Sequence, residues 1–552
     1  MHFLELVVPY LSVLSLVCLG AAAFTCFVFS KWVSKLWWIS YLPLIGSFFA
    51  WAFSLFSFLK VPFFLPWLIN EGDQFFDFTP TFTVHEFTLP LVQFLLTIQM
   101  VRSLALTLQK ESLAPERWSE EIVLLLLSIL ACFSANPLTL IIIWIAIDGM
   151  QIWISLPFFH QEFKPLIISR FFILRWAASF GFLWLMALEQ GSMVDLTLLE
   201  FSPTLRYGLL LFIIIRMYLT LREAQTNSSI FPTQPHLSYA AFVHIASYFA
   251  VLAQLAASGT FEISWVIPII LSSVTLGWII YWRIFPQDHF IWMPLIFLAI
   301  ALISTLQNDT YAVLVWGMTF ILFAFFIEVF PSVYKQVEKW NLFPALLVAL
   351  VLPFTPLWFN SPFAELLVGN TAPLPLALWA TIALLFLIQA NLLFIITRQI
   401  QYLSSASPFR TNPLKDIPST VMSLSIWSIY FLLGIWLFFH TPLPPLWVSL
   451  PYACAFLFLF LGSKIARRLS YQHKEKIIAS LTSMQHQFNW QISRRLEAFS
   501  FSNKLNLIIQ RIISASSLLI QTSSEIIEGE SGLLWGFIIF ALLVSLLFQP
   551  AP

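Results

Sequence analysis

Apolar runs long enough to cross a bilayer recur almost from one end of this 552-residue chain to the other. A crossing helix needs about 20 mostly apolar residues, and about sixteen such runs can be counted. They lie near 3–29, 36–59, 87–108, 121–135, 138–158, 167–188, 207–221, 238–258, 262–282, 289–306, 310–330, 341–359, 374–397, 418–440, 446–463 and 532–548. Hydrophobic residues make up 59% of the chain and charged residues only 10%. A soluble domain carries about 25% charged residues, so this chain cannot coat a water-exposed surface of its size. The expected fold is all-α, a polytopic membrane protein. The first run lacks a basic leader and a small-residue cleavage site, and reads as a retained helix rather than a signal peptide.

Lysine and arginine orient the runs, because short cytoplasmic connections carry an excess of both. Alternate connections hold Lys31 and Lys35; Lys110 and Arg117; Lys164; Arg222; Arg283; Lys335 and Lys339; Arg398, Arg410 and Lys415; then Lys464, Arg467 and Arg468. The others hold only Lys60 and Arg206, beside acids such as Glu71, Asp73, Asp77, Asp195 and Glu200. The amino terminus is therefore expected outside, and the fifteenth run delivers the chain to the cytoplasmic side. With 27 Lys+Arg against 27 Asp+Glu, no nucleic-acid partner is implied.

Residues 464–531 depart from this pattern. They hold nine Lys/Arg and five Glu, no proline, and no glycine before Gly529. Ile477, Leu481, Met484, Phe488 and Ile492 recur at helical spacing along one face. A single helix of this length would run roughly 100 Å, too long and too polar to cross, and suited to lying along the membrane surface. Two shorter helices with a break near Ser500–Ser502 are the alternative. The last run, 532–548, then anchors the carboxyl end.

Ionisable groups inside spans are costly and usually face the protein interior. Arg102, Asp148, Arg170, Arg175, Arg216, His244 and Glu328 qualify by position. Asp148 follows seven apolar residues, Ile141 to Ile147, and must find a cation on another helix or a proton. Arg216, after Leu209 to Ile215, is the simplest partner. That pair reads equally as a static ion pair fixing helix register or as part of an ion pathway. Arg102, Arg170 and Arg175 lie near expected cytoplasmic ends, where long side chains can snorkel to the interface, and Glu328 is read as interfacial. His244 is either hydrogen-bonded packing or a proton carrier. Pro353 and Pro356 forbid a regular helix through span 12, leaving a packing kink or a broken, cavity-lining helix. Cys18, Cys26, Cys132 and Cys454 form no CxxC, and no second histidine completes a haem site. No metal or cofactor is expected.

Taken together, these segments resemble the antiporter-like membrane subunits of respiratory complex I, of Mrp antiporters and of membrane-bound hydrogenases. The long type of that family adds a lateral helix and a final anchoring span. Local patterns carry the likeness across spans 4–13, and architecture carries it for the lateral segment and span 16. Ser134-Ala135-Asn136-Pro137-Leu138 followed by Asp148-Gly149-Met150 is similar to the segment bearing the family's essential glutamate, with Asp148 in its place. Arg216 falls where the family has a lysine, and Val243-His244-Ile245-Ala246-Ser247 resembles the stretch with its relay histidine. Leu352-Pro353-Phe354-Thr355-Pro356-Leu357 resembles the interruption of the second of two broken helices. The family's central lysine in spans 10–11 has no counterpart, and Trp358-Phe359-Asn360 stands where an ionisable residue would follow the prolines. Arginine stays charged at accessible pH, so Arg216 can tune Asp148 or His244 but cannot hand on a proton.

The resemblance implies N-terminal helices over 1–120, antiporter-like units over 121–258 and 262–397, helices over 418–463, the lateral segment 464–531 and the anchor 532–552. It implies partner membrane subunits in a hetero-oligomeric complex, the lipid bilayer as solvent, and a bacterial cytoplasmic membrane. The expected role is a subunit of an ion-translocating respiratory-type complex, with a degenerate proton pathway and a scaffold function. No catalytic centre of its own is expected, which fits a non-catalytic subunit of an oxidoreductase complex. The rivals are an active proton or cation transporter subunit, including an inorganic-carbon uptake partner, and a membrane-embedded transferase using Asp73 or Asp77.

Overall fold

The computed structural model describes residues 11–32, 41–55, 63–64, 81–85, 87–108, 115–159, 165–190, 201–230, 235–259, 261, 292–325, 355–359 and 379–388, with isolated positions between 392 and 457. The chain divides into two units, Met1–Phe456 with Leu543–Pro552 and Leu457–Leu542. The described residues belong to the first, Leu457 apart. Runs 9 and 16, the lateral segment, Glu328, Pro353 and most of runs 12 to 15 lie outside the described residues.

The described fold is all-α apart from one two-residue strand pair. In chain order the helices are α1 (Leu11–Trp32), α2 (Leu42–Leu55), α3 (Leu89–Leu108), α4 (Pro115–Phe133), α5 (Pro137–Phe159), α6 (Pro165–Gln190), α7 (Pro203–Ile230), α8 (Pro235–Ala257), α9 (Trp292–Leu306), α10 (Thr310–Ala324) and α11 (Pro356–Phe359). Two of them, α5 over Pro137–Ile154 and α7 over Pro203–Thr220, have an apolar stretch long enough to cross a membrane. Shorter apolar helical stretches include Trp379–Ile388, within expected run 13.

Proline sets many of the starts. Helices α4 to α8 and α11 all begin at one, where its missing N–H is not needed and its fixed φ suits the first turn. Side-chain caps add to this: Asn136 Oδ1 accepts from Thr139 N at 2.7 Å at the start of α5. Ser202 Oγ serves Leu205 N at the start of α7, and Asp309 Oδ1 serves Ala312 N at the start of α10. Helices α1 to α10 are continuous over their ranges. Of the Pro353–Pro356 interruption, the described part is a bend at Thr355 followed by the short buried helix α11.

Helix α8 is the hub, packing against α4, α7, α9 and α10. Every residue from Val243 to Ala256 is buried; most are apolar, and the polar His244, Ser247, Tyr248 and Gln254 are hydrogen-bonded inside. Strands β1 (Phe63–Phe64) and β2 (Thr81–Phe82) pair antiparallel. Beside them the turn between α4 and α5 is stitched to β2: Thr83 N donates to Phe133 O at 2.7 Å and Ala135 N to Thr81 O at 3.0 Å. Asn136 Nδ2 reaches Thr81 Oγ1 at 2.8 Å. Arg206 lies against Gly259, and Phe261 N donates to Asn308 Oδ1 at 3.4 Å. Each of these contacts joins connections that the lysine and arginine alternation expects on one side.

Candidate functional site

Four consecutive helices each turn one polar face toward a common buried point. Trp144, Asp148 and Gln151 on α5 are spaced i, i+4, i+7, as are Arg216, Thr220 and Glu223 on α7. Arg175 and Ser179 on α6, and His244 and Tyr248 on α8, are spaced i, i+4. Such spacings stack side chains on one side of a helix. All ten residues are buried, and Asp148, Arg175, Arg216 and His244 are fully so.

Two arginines clamp the aspartate. Arg216 Nη2 donates to Asp148 Oδ2 at 2.8 Å, and Arg175 Nε lies 3.1 Å from Asp148 Oδ1. Arg175 Nη1 also pairs with Glu223 Oε2 at 2.6 Å. Two cations and two anions leave the quartet without net charge, which is the condition for keeping ions in so dry a place. Arg216 is fixed further by bonds from Nη1 to Ser179 Oγ at 2.6 Å and Arg175 O at 3.3 Å, and from Nη2 to Trp144 O at 3.4 Å. The rings of Trp144 and Phe212 lie 5.2 and 5.7 Å from its guanidinium carbon. Neither guanidinium releases a proton, so the quartet holds charge and joins α5, α6 and α7.

A neutral hydrogen-bond chain runs beside it. Gln151 Nε2 lies 3.3 Å from His244 Nδ1, His244 Nε2 lies 3.0 Å from Tyr248 Oη, and Tyr248 Oη lies 3.2 Å from Thr220 Oγ1. Thr220 Oγ1 donates to the Arg216 carbonyl at 2.9 Å. With the glutamine amide donating to Nδ1, the imidazole proton sits on Nε2, and each hydroxyl passes one donation onward. This tautomer is assigned from the partners. The chain ends on a backbone carbonyl, and Arg175 Nη1, donating to Thr220 Oγ1 at 3.4 Å, joins it to the quartet. Trp144 Nε1 and the His244 carbonyl are both tied to Ser247 Oγ, at 2.9 and 2.7 Å.

Two arginines differ from the interfacial reading. Arg175 does not snorkel; it is fully buried because Asp148 and Glu223 together balance it. Arg102 is likewise buried, forked onto Glu121 of α4, with Nη2 donating to Oε1 at 2.8 Å and Nη1 paired to Oε2, and the Trp118 ring beside it. A forked arginine–carboxylate pair satisfies both ions internally and removes the need to reach water. The Arg170 side chain, Glu328 and Pro353 lie outside the described residues. Sequence reasoning missed Glu223, Gln151, Ser179 and Thr220. The signal that could have found Glu223 is its seven-residue step from Arg216.

Among the described residues of α10, one buried hydroxyl meets another from farther along the chain. Thr319 Oγ1 and Tyr430 Oη lie 2.6 Å apart, both buried.

No protein-family model matches the chain, and no curated protein matches its sequence. Among solved structures, it is similar in fold to a chain in the structure of the membrane-bound sulfane sulfur reductase, an archaeal respiratory membrane complex, with 12% identity and a TM-score of 0.51. The match covers 98% of this chain and 100% of that one. At that identity the likeness is one of fold.

Proposed function

We propose that this chain is a membrane-embedded, antiporter-like subunit of a multisubunit, respiratory-type ion-translocating complex, in which its own proton pathway is degenerate and its main role is a scaffold. The observation that carries the reading is the clamping of Asp148 between Arg175 and Arg216. A relay acid must exchange its proton with a group that can lose one, and a guanidinium cannot. The end-to-end fold likeness to a chain of a respiratory membrane complex supports the setting. So do large apolar side chains on the outside, among them Trp184, Leu188, Phe48 and Phe49, which suit lipid or neighbouring subunits better than water.

In this reading the chain crosses the membrane about sixteen times. Its amino terminus is outside, and the 464–531 segment lies along the cytoplasmic face against partner subunits. The setting is a bacterial cytoplasmic membrane. The test is proton and sodium flux in vesicles carrying the purified complex, with and without Asp148→Asn. Unchanged flux is expected wherever the variant still assembles; flux abolished in an assembled variant complex overturns the scaffold reading. The second reading, an active proton or cation carrier, draws on the His244–Tyr248–Thr220 chain, and the same measurement separates the two.

A further inference from the structure

We propose that Glu223 is a proton-operated latch: a proton taken up from the cytoplasmic side neutralises its carboxylate, breaks its pair with Arg175 and loosens α6 from α7. Glu223 follows Arg222, in the connection expected on the cytoplasmic side, beyond run 7. It is the least enclosed of the four ions. Its side chain keeps 6% exposure, where Asp148, Arg175 and Arg216 keep none. It is also the more weakly held of the two acids. Asp148 lies between two guanidiniums, whereas among the described residues Glu223 pairs with Arg175, Nη1 to Oε2 at 2.6 Å.

Among the described residues, the charged and titratable groups around Glu223 are Arg175 of α6, Asp148 of α5 behind it and, through Thr220, Tyr248 and His244 of α8. Arg216 stands seven residues away on α7 itself. Burial raises the Glu223 carboxyl above its ordinary range; Arg175 acts against that rise and Asp148 adds to it. Loss of the Arg175 pair raises it further, so a proton favours the released arrangement over the latched one. A neutral Glu223 leaves two guanidiniums on one carboxylate, an excess cation in a dry place. Arg175 then keeps Asp148 and the Thr220 hydroxyl, 3.4 Å from Nη1, but loses its tie at the cytoplasmic end. The helix that carries Arg175 is the one placed to give. Among the described helices α6 packs chiefly against α5 and α7, and Leu174, Phe180, Trp184 and Leu188 stand exposed along it. The guanidinium accepts no proton, so the step is a switch and not a relay through Arg175. The latch goes beyond the scaffold reading by adding a response to cytoplasmic acidity.

The test is hydrogen–deuterium exchange of α6 in the intact complex in lipid nanodiscs, from about pH 8 to about pH 5, corrected for the intrinsic effect of pH on exchange. Protection of α6 is expected to fall at least about tenfold across one single-proton transition, while α8 stays protected. Glu223→Gln is expected to hold α6 in the less protected state at every pH. Glu223→Asp keeps an acid on a shorter arm and is expected to move the transition; it takes the place of the glutamine variant where that one does not assemble. Protection of α6 that is constant with pH in the unaltered complex overturns the latch. So does a transition that survives unchanged in either variant. Parallel loss of protection in α8 also overturns it, since the whole fold then loosens. Flux that depends on Asp148 beside a pH-dependent α6 sinks the scaffold reading and leaves the latch standing; a constant α6 beside Asp148-independent flux does the reverse.

Discussion

Lysine at position 216 would carry the charge of Arg216 but present three donors on one nitrogen. Arg216 uses two nitrogens to reach Asp148, Ser179 and the carbonyls of Trp144 and Arg175. Arg216→Lys is therefore expected to cost about 2 kcal/mol or more through bonds lost to a charged group, measured by thermal unfolding of the detergent-solubilised chain. Asp148→Asn leaves three ions where four balanced, and is expected to cost about 3–5 kcal/mol. Native-like stability of the asparagine variant would mean that the quartet is not paired as described. Asp148, Arg216 and His244 could be singled out from sequence because an ionisable group in an apolar run is conspicuous. Arg175 was conspicuous too, but its role was not, since snorkelling and burial differ only by what the neighbouring helices present.

The start of α10 makes the corresponding case for an element. Asp309 caps it, accepting from Ala312 N at 2.9 Å. Asp309→Ala is expected to cost about 1 kcal/mol, and Asp309→Asn only a few tenths. Burial raises the Asp309 carboxyl above its ordinary range, while backbone N–H groups of Ala312 and Tyr311 act in the opposite direction. A raised folded-state value means that the folded chain binds this proton more tightly than the unfolded one. The stability Asp309 contributes is thus greatest at low pH and falls as pH rises through that window, a slope that Asp309→Asn should remove. Where α10 meets α8, Gly317→Ala places a methyl against Phe249. Overpacking of that kind is expected to cost about 1–3 kcal/mol, read in the same unfolding assay.

At the scale of the whole molecule, large apolar side chains on the outside of the described residues and few charges suit lipid, and in the proposed reading neighbouring subunits. The chain is expected to stay with membranes through an alkaline carbonate wash, and to emerge in mild detergent with other membrane subunits, identified by mass spectrometry. Recovery as a soluble, solitary chain would remove the basis of the proposed assembly. Much of the described helical order was legible beforehand: runs 1 to 8, 10 and 11 overlap α1 to α10, because apolar length and helix-starting prolines are local properties. Residues 464–531 were distinctive by composition, but that segment lies outside the described residues. By itself the sequence determined a helical chain unsuited to water, with a few ions buried in apolar surroundings, since those follow from residue type and order along one strand of chain. Only the tertiary structure decided which ions meet, and that Arg175 completes a neutral quartet with Glu223. Those outcomes depend on the rotation and spacing of helices distant in sequence, which no single span encodes.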